Sequence, residues 1–156
     1  MAVFSKAELI RGVTLAMERH ASAEMEGRCA KKSRNEQRCV LDDHFVGIMG
    51  EWAVCQELGH DFNPTMDTYK SAPDTCGFEV KTARAPAYYM IMADNDRTDC
   101  PYAMVVQISL FRYDVLGYIT YDEAERVCEM KALNPTMPPA RVVSIRHLRS
   151  IAECMP

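Results

Sequence analysis

Asp74, Glu79 and Lys81 are the residues of this sequence whose types and spacing suit catalysis. They lie in the stretch Pro73-Asp74-Thr75-Cys76-Gly77-Phe78-Glu79-Val80-Lys81-Thr82. In a strand, side chains alternate between faces, so Glu79 and Lys81 share one face and Phe78 and Val80 take the other. A carboxylate and an amine side by side on a core strand are costly unless they bind something. Two acids and a lysine in this order suit a hard divalent cation with a poised water. The spacing raises one difficulty. On a straight strand, an odd offset of five residues would put Asp74 and Glu79 on opposite faces. They converge only if Thr75-Cys76-Gly77 bends the chain, which Gly77 permits. If it does not bend, Asp67 replaces Asp74 as the first acid.

Pro73-Asp74 followed by Glu79-Val80-Lys81 resembles the signature of the PD-(D/E)XK nucleases, the restriction-endonuclease-like superfamily. The resemblance covers about residues 41 to 125. It implies an α+β (mixed α/β) fold with a central mixed sheet flanked by helices. It also implies a deoxyribonuclease, cutting or nicking DNA with Mg2+, for which Mn2+ can substitute. Asp74 and Glu79 would then ligate the metal, with the Val80 carbonyl as a third oxygen. Lys81 would position or deprotonate the water, or neutralise developing charge. Gly50-Glu51 looks like the acidic residue that many members carry on the helix before the catalytic strands, so Glu51 would bind the metal directly or through water. Thr82 and Gln107 would face the substrate, unless Gln107 is satisfied inside the sheet. A weaker similarity of hydrophobic pattern, around Leu116-Gly117-Tyr118-Ile119-Thr120, points to nucleases found in phage and bacterial genomes.

The elements that must position these residues are readable from pattern. Ser5-x-x-Glu8 is a capping box opening a helix with a stripe of Leu9, Val13, Ala16, Met17 and His20, stopped near Gly27. Arg28 to Arg38 carries five basic residues against one acidic. Lys31, Lys32, Arg34 and Arg38 there are candidates for phosphate contacts, with an ordinary charged connector as the alternative. A second helix spans Leu41 to Leu58, with Leu41, Phe45, Ile48, Trp52 and Cys55 on one stripe and Gly59 as its stop. Gly47 and Gly50 inside it make sense where the backbone must approach another element closely. Strands follow at Ala87–Met92, Tyr102–Phe111 (the most apolar, hence central) and Val115–Tyr121, with a polar turn at 94–99 and another at Arg112–Asp114. A short acidic helix start comes at Asp122–Val127, a late strand at Arg141–Ile145 and a final helical turn at His147–Ile151. The pattern predicts one domain, an N-terminal helix and basic connector over 1–40 leading into a core over 41–125.

With 156 residues, 48% hydrophobic and 26% charged, the chain is an ordinary globular composition able to bury a core. No apolar run reaches the eighteen or so residues of a membrane span. Met1 to Lys6 lacks a basic lead and long apolar segment, which with scattered cysteines points to a cytoplasmic protein with reduced thiols. The seven cysteines (29, 39, 55, 76, 100, 128, 154) have no C-x-x-C spacing, and Cys55 reads as a small buried hydrophobe. A net charge of −4 argues against a general nucleic-acid coat while leaving room for a nuclease whose carboxylates are neutralised by metal. Sequence preference would come from loops, a homodimer partner or a recruiting protein. The alternative is a catalytically inactive module of the same fold that binds nucleic acid or a protein.

Overall fold

The computed structural model describes residues 1–25, 40–64, 72–94, 96–133 and 138–154. Ser5 starts helix α1, Lys6–Met25: its N–H and hydroxyl both donate to the Glu8 carboxylate (2.7 and 2.6 Å), and the Glu8 N–H returns to the Ser5 hydroxyl (3.3 Å). Of the expected stripe Leu9, Val13, Ala16, Met17 and His20, only Leu9 and Ala16 are buried. Leu9, Gly12, Ala16 and Ala23 are buried, while Val13 and Met17 are exposed. The reason is close helix packing. A Cβ on Gly12 would stand 2.4 Å from the Met49 sulfur, so α1 turns its smallest residues toward helix α2, Val40–Glu57.

Helix α2 is buried almost all round from Phe45 to Cys55, because α1 covers one side and a sheet the other. Gly59, at φ +70°, follows its end in the left-handed region that favours glycine. The remaining elements are β1 (Ala2–Val3), β2 (Glu79–Arg84), β3 (Tyr89–Met92), β4 (Tyr102–Ser109), β5 (Arg112–Ile119), α3 (Tyr121–Val127), β6 (Glu129–Lys131) and β7 (Ala140–Ser144). The main sheet has the order β1-β5-β4-β2, with β2 parallel to β4 and the other pairs antiparallel. This is a mixed α+β architecture with β4 inside the sheet, as its apolar run predicts.

The strands do not all join one sheet. β3 pairs with β7, and β7 with β6, in a separate antiparallel sheet. The physical reason lies in β4. Ala103 and Val105 face the α2 core, while Tyr102, Met104 and Val106 form a second core with Met90, Met92, Ala124 and Val143. A central strand apolar on both faces needs cover on both, and β3, β7 and α3 supply the second cover. Strand β5 also starts earlier than expected. Arg112-Tyr113-Asp114 is strand rather than turn, because Tyr113 is fully buried against Phe4 and accepts a hydrogen bond from the Gln107 side chain. The C-terminal helical turn resolves into two 3-10 turns, at Ile145–His147 and Ile151–Cys154.

The two glycines of α2 separate by role. A Cβ on Gly50 would fall 1.9 Å from the Thr82 hydroxyl oxygen of β2, whereas at Gly47 nothing lies within 4 Å. Gly50→Ala should therefore destabilise the chain by about 1–3 kcal/mol through overpacking, and Gly47→Ala should stabilise it by up to about 1 kcal/mol. Urea denaturation of the two variants checks this; a Gly50→Ala protein as stable as wild type would contradict the close approach.

Candidate active site

The turn at residues 75–78 answers the spacing difficulty. Thr75 and Phe78 exchange backbone hydrogen bonds in both directions (N–H of Thr75 to Phe78 at 3.2 Å, N–H of Phe78 to Thr75 at 2.8 Å). Cys76 and Gly77 between them have φ +49° and +80°, the positive values that a two-residue hairpin turn requires. The chain reverses there over a single isolated bridge, which returns Asp74 toward the start of β2. The Asp74 carboxylate then accepts the Val80 N–H at 2.8 Å.

Strand β2 divides its side chains as the alternation requires. Phe78 and Val80 pack with the α2 core, and Arg84 reaches Asp42 (2.5 Å) and Asp43 (3.2 Å) at the start of α2. On the other face, the Lys81 ammonium lies 2.7 Å from Asp96 and 3.4 Å from Glu79, and 5.6 Å from the centre of the Tyr102 ring. Asp96 is itself fixed, since its other oxygen accepts the Ala93 N–H at 2.8 Å. The Tyr102 hydroxyl donates to the Arg97 carbonyl and fastens the same turn. Asp96 was hidden in the sequence among the polar residues of a turn; only the pairing of β2 with β4 brings it to Lys81.

Glu51 lies on α2, 3% exposed, with Arg19 of α1 donating to both of its oxygens at 2.6 and 2.9 Å. It is no surface glutamate. Its carboxylate is engaged by Arg19, and it meets Asp74 and Glu79 through their fields. Burial pushes the Glu51 carboxyl upward, the Arg19 contacts oppose that, and Asp74 and Glu79 add to the rise. Burial likewise raises Asp74, against the pull of the Val80 N–H and the charges of Arg19, Lys81 and Arg97. Burial first, then the Asp74 charge, raises Glu79, with Lys81 opposing. Among the described residues, Arg19 contacts Glu51, Lys81 contacts Glu79 and Asp96, and the charge of Arg97 also acts on Asp74.

Asp74 and Glu79 offer carboxylate oxygens of the kind a hard divalent cation takes. Asp74 and Glu79 are oxygen donors held above their ordinary range by burial. Glu79 and Ala85 donate to β4, so by strand alternation the Val80 N–H and carbonyl both face the open edge, beside Asp74. Among the described residues, no group of three or more His, Cys, Asp or Glu side chains is gathered for metal ligation. The fit therefore rests on two carboxylates and one carbonyl, the sparse protein coordination that Mg2+ accepts because it keeps several waters. A cleft of about 620 Å³ opens alongside, between the start of α2, the edge of β2 and β3; it reaches Val80 and Lys81 but not Asp74 or Glu79.

Thr82 lines the cleft, but its hydroxyl is buried against Gly50 with no hydrogen-bond partner among the described residues. Gln107 is satisfied within the sheet by the Tyr113 hydroxyl (2.8 Å). Lys31, Lys32, Arg34 and Arg38, and the substitute acid Asp67, lie outside the described residues. Cys55 is buried, as expected, yet its sulfur also contacts the Thr75 hydroxyl and the Cys76 sulfur (2.9 and 3.2 Å).

Arg19 compensates a buried charge, so Arg19→Met should destabilise the fold by about 3–5 kcal/mol, and Arg19→Met with Glu51→Leu should recover most of that. Chemical denaturation of both checks it, and a mild single-variant effect would contradict the pairing. Glu79 predicts a pH dependence. Its folded-state affinity for protons exceeds that of the unfolded chain, so stability falls as pH climbs through the raised value. Glu79→Gln should then melt above wild type at pH 7 in chelator, and the difference should vanish below about pH 4, where wild type is protonated too. A variant melting below wild type at pH 7 would contradict this. No family model, curated protein or solved structure matches the chain.

Proposed function

We propose that this protein is a divalent-metal-dependent deoxyribonuclease that hydrolyses DNA phosphodiester bonds, as an endonuclease or nickase. The observation that carries the reading is the reversal at Thr75–Phe78, which brings Asp74 onto the Val80 N–H. That turn supports the reading because it places the Asp74 carboxylate on the backbone of the strand that carries Glu79 and Lys81.

Asp74, Glu79 and the Val80 carbonyl would hold Mg2+ or Mn2+. The ion supplies Lewis acidity and lowers the pKa of water near the phosphate. Lys81 places a positive charge at the edge of the acid pair, where it stabilises negative charge developing on phosphoryl oxygens or orients the attacking water. Asp96 and Glu79 hold that ammonium in place. Glu51 and Arg19 act from behind: Arg19 sets the field at Asp74, and Glu51 keeps Arg19 oriented. The cleft beside Lys81 leaves room for a nucleotide flanking the scissile phosphate. DNA is the proposed partner, met as a monomer, a homodimer or through a recruiting protein.

Cleavage of supercoiled plasmid with Mg2+ tests the reading. Wild type should yield nicked or linear DNA, chelator should abolish the reaction, and Lys81→Ala should lose at least about a hundredfold in rate while remaining folded by circular dichroism. Wild-type-like cutting by Lys81→Ala would overturn the mechanism. Tight DNA binding without cutting at any metal concentration would favour the inactive binding module.

A further inference from the structure

Two thiols face each other at the turn that sets the acids. Cys76 stands at its first central position, exposed, and Cys55 on α2 is buried with its sulfur 3.2 Å from that of Cys76. The Thr75 hydroxyl lies 2.9 Å from the Cys55 sulfur and 3.7 Å from that of Cys76, completing a small polar cluster under the turn. Cys76 has φ +49°, a left-handed position where glycine, asparagine or aspartate is the ordinary choice. Cysteine gains nothing from the turn geometry itself. What it gains is a sulfur placed against Cys55.

We propose that Cys55 and Cys76 form a thiol-pair modification site, closed to a disulfide by a peroxide-class oxidant, that fastens the Asp74–Glu79 turn to helix α2. The steps balance. The exposed Cys76 thiolate attacks a peroxide oxygen, the O–O bond breaks, hydroxide leaves and Cys76 becomes a sulfenic acid. Cys55 then gives up its proton, its sulfur attacks the Cys76 sulfur, and the S–O bond breaks with loss of water. Two thiols and one hydrogen peroxide become one disulfide and two waters. Cys76 is exposed and Cys55 is buried, so Cys76 meets the oxidant first and Cys55 resolves it. The sulfurs need to close from 3.2 Å to about 2.0 Å, a movement the two-residue turn can supply.

The consequence for the fold is a covalent loop over residues 56–75, joining the helix that carries Glu51 to the turn that carries Asp74. Closing it restricts the unfolded chain and so favours the folded one. This inference does not depend on the nuclease reading, since neither its chemistry nor its test uses cleavage.

The test is peroxide treatment of the reduced full chain, followed by alkylation of free thiols under unfolding conditions and peptide mapping by mass spectrometry. The expected product is two hydrogens lighter, with Cys55 and Cys76 in one linked peptide, released by dithiothreitol. It should be absent from Cys55→Ser and from Cys76→Asn, the latter chosen because asparagine suits the left-handed position and preserves the turn. Oxidised wild type should melt several degrees above reduced wild type, and peroxide should not raise the melting temperature of Cys76→Asn. Cys76 carried on to sulfinic acid with Cys55 still alkylatable would overturn the proposal. So would a bridge formed preferentially between other cysteines, or an oxidised chain melting no higher than the reduced one.

Discussion

Reversal of the chain over Cys76 and Gly77 is the constraint on which the rest of this edge depends. It turns Asp74 back onto the Val80 N–H at the start of β2. From that one placement the electrostatics follow. Acids brought together out of water resist ionisation, and the chain answers with Arg19 on one side of the sheet and Lys81 on the other. The upward shifts of Asp74 and Glu79 come first from burial, with the Asp74 charge adding to the rise at Glu79.

Helix α2 transmits this arrangement to the core. It carries Glu51 and Cys55 toward the site, takes Thr82 of β2 against Gly50, and receives α1 on its far side. Because it is enclosed, its residues have little freedom, and a charge placed on it is held in register with β2. The second sheet serves the other face in the same way. It covers Tyr102 and Met104, above which Lys81 runs toward Asp96. A rigid scaffold under both faces of a single edge strand is what positions a site of this kind.

Local features of the fold were the most legible in the sequence. The Ser5–Glu8 capping box, the span of α2 and the central place of β4 all follow from residue types at short range. Thr120 and Glu123 form a second capping box, which the same T-x-x-E pattern could have disclosed. Side-chain alternation along Glu79-Val80-Lys81 also came directly from pattern. What pattern could not supply was partnership at a distance. Arg19 precedes Glu51 by 32 residues and Asp96 follows Lys81 by 15, so neither pairing leaves a local signal. The face of α1 was legible only in part for the same reason: Leu9 and Ala16 point inward as expected, while Gly12 is buried because α2 approaches closely. The division into two sheets likewise depends on what must cover Met104, which no single segment states.

The most direct measurement on this edge is Mn2+ binding to the metal-free chain, followed by isothermal titration and by the electron paramagnetic resonance of the free ion. Saturable binding by wild type, lost in Asp74→Asn and in Glu79→Gln but kept in Lys81→Ala, is the result predicted by acids that converge to hold a cation. No saturable binding, or binding that survives Asp74→Asn unchanged, would contradict it.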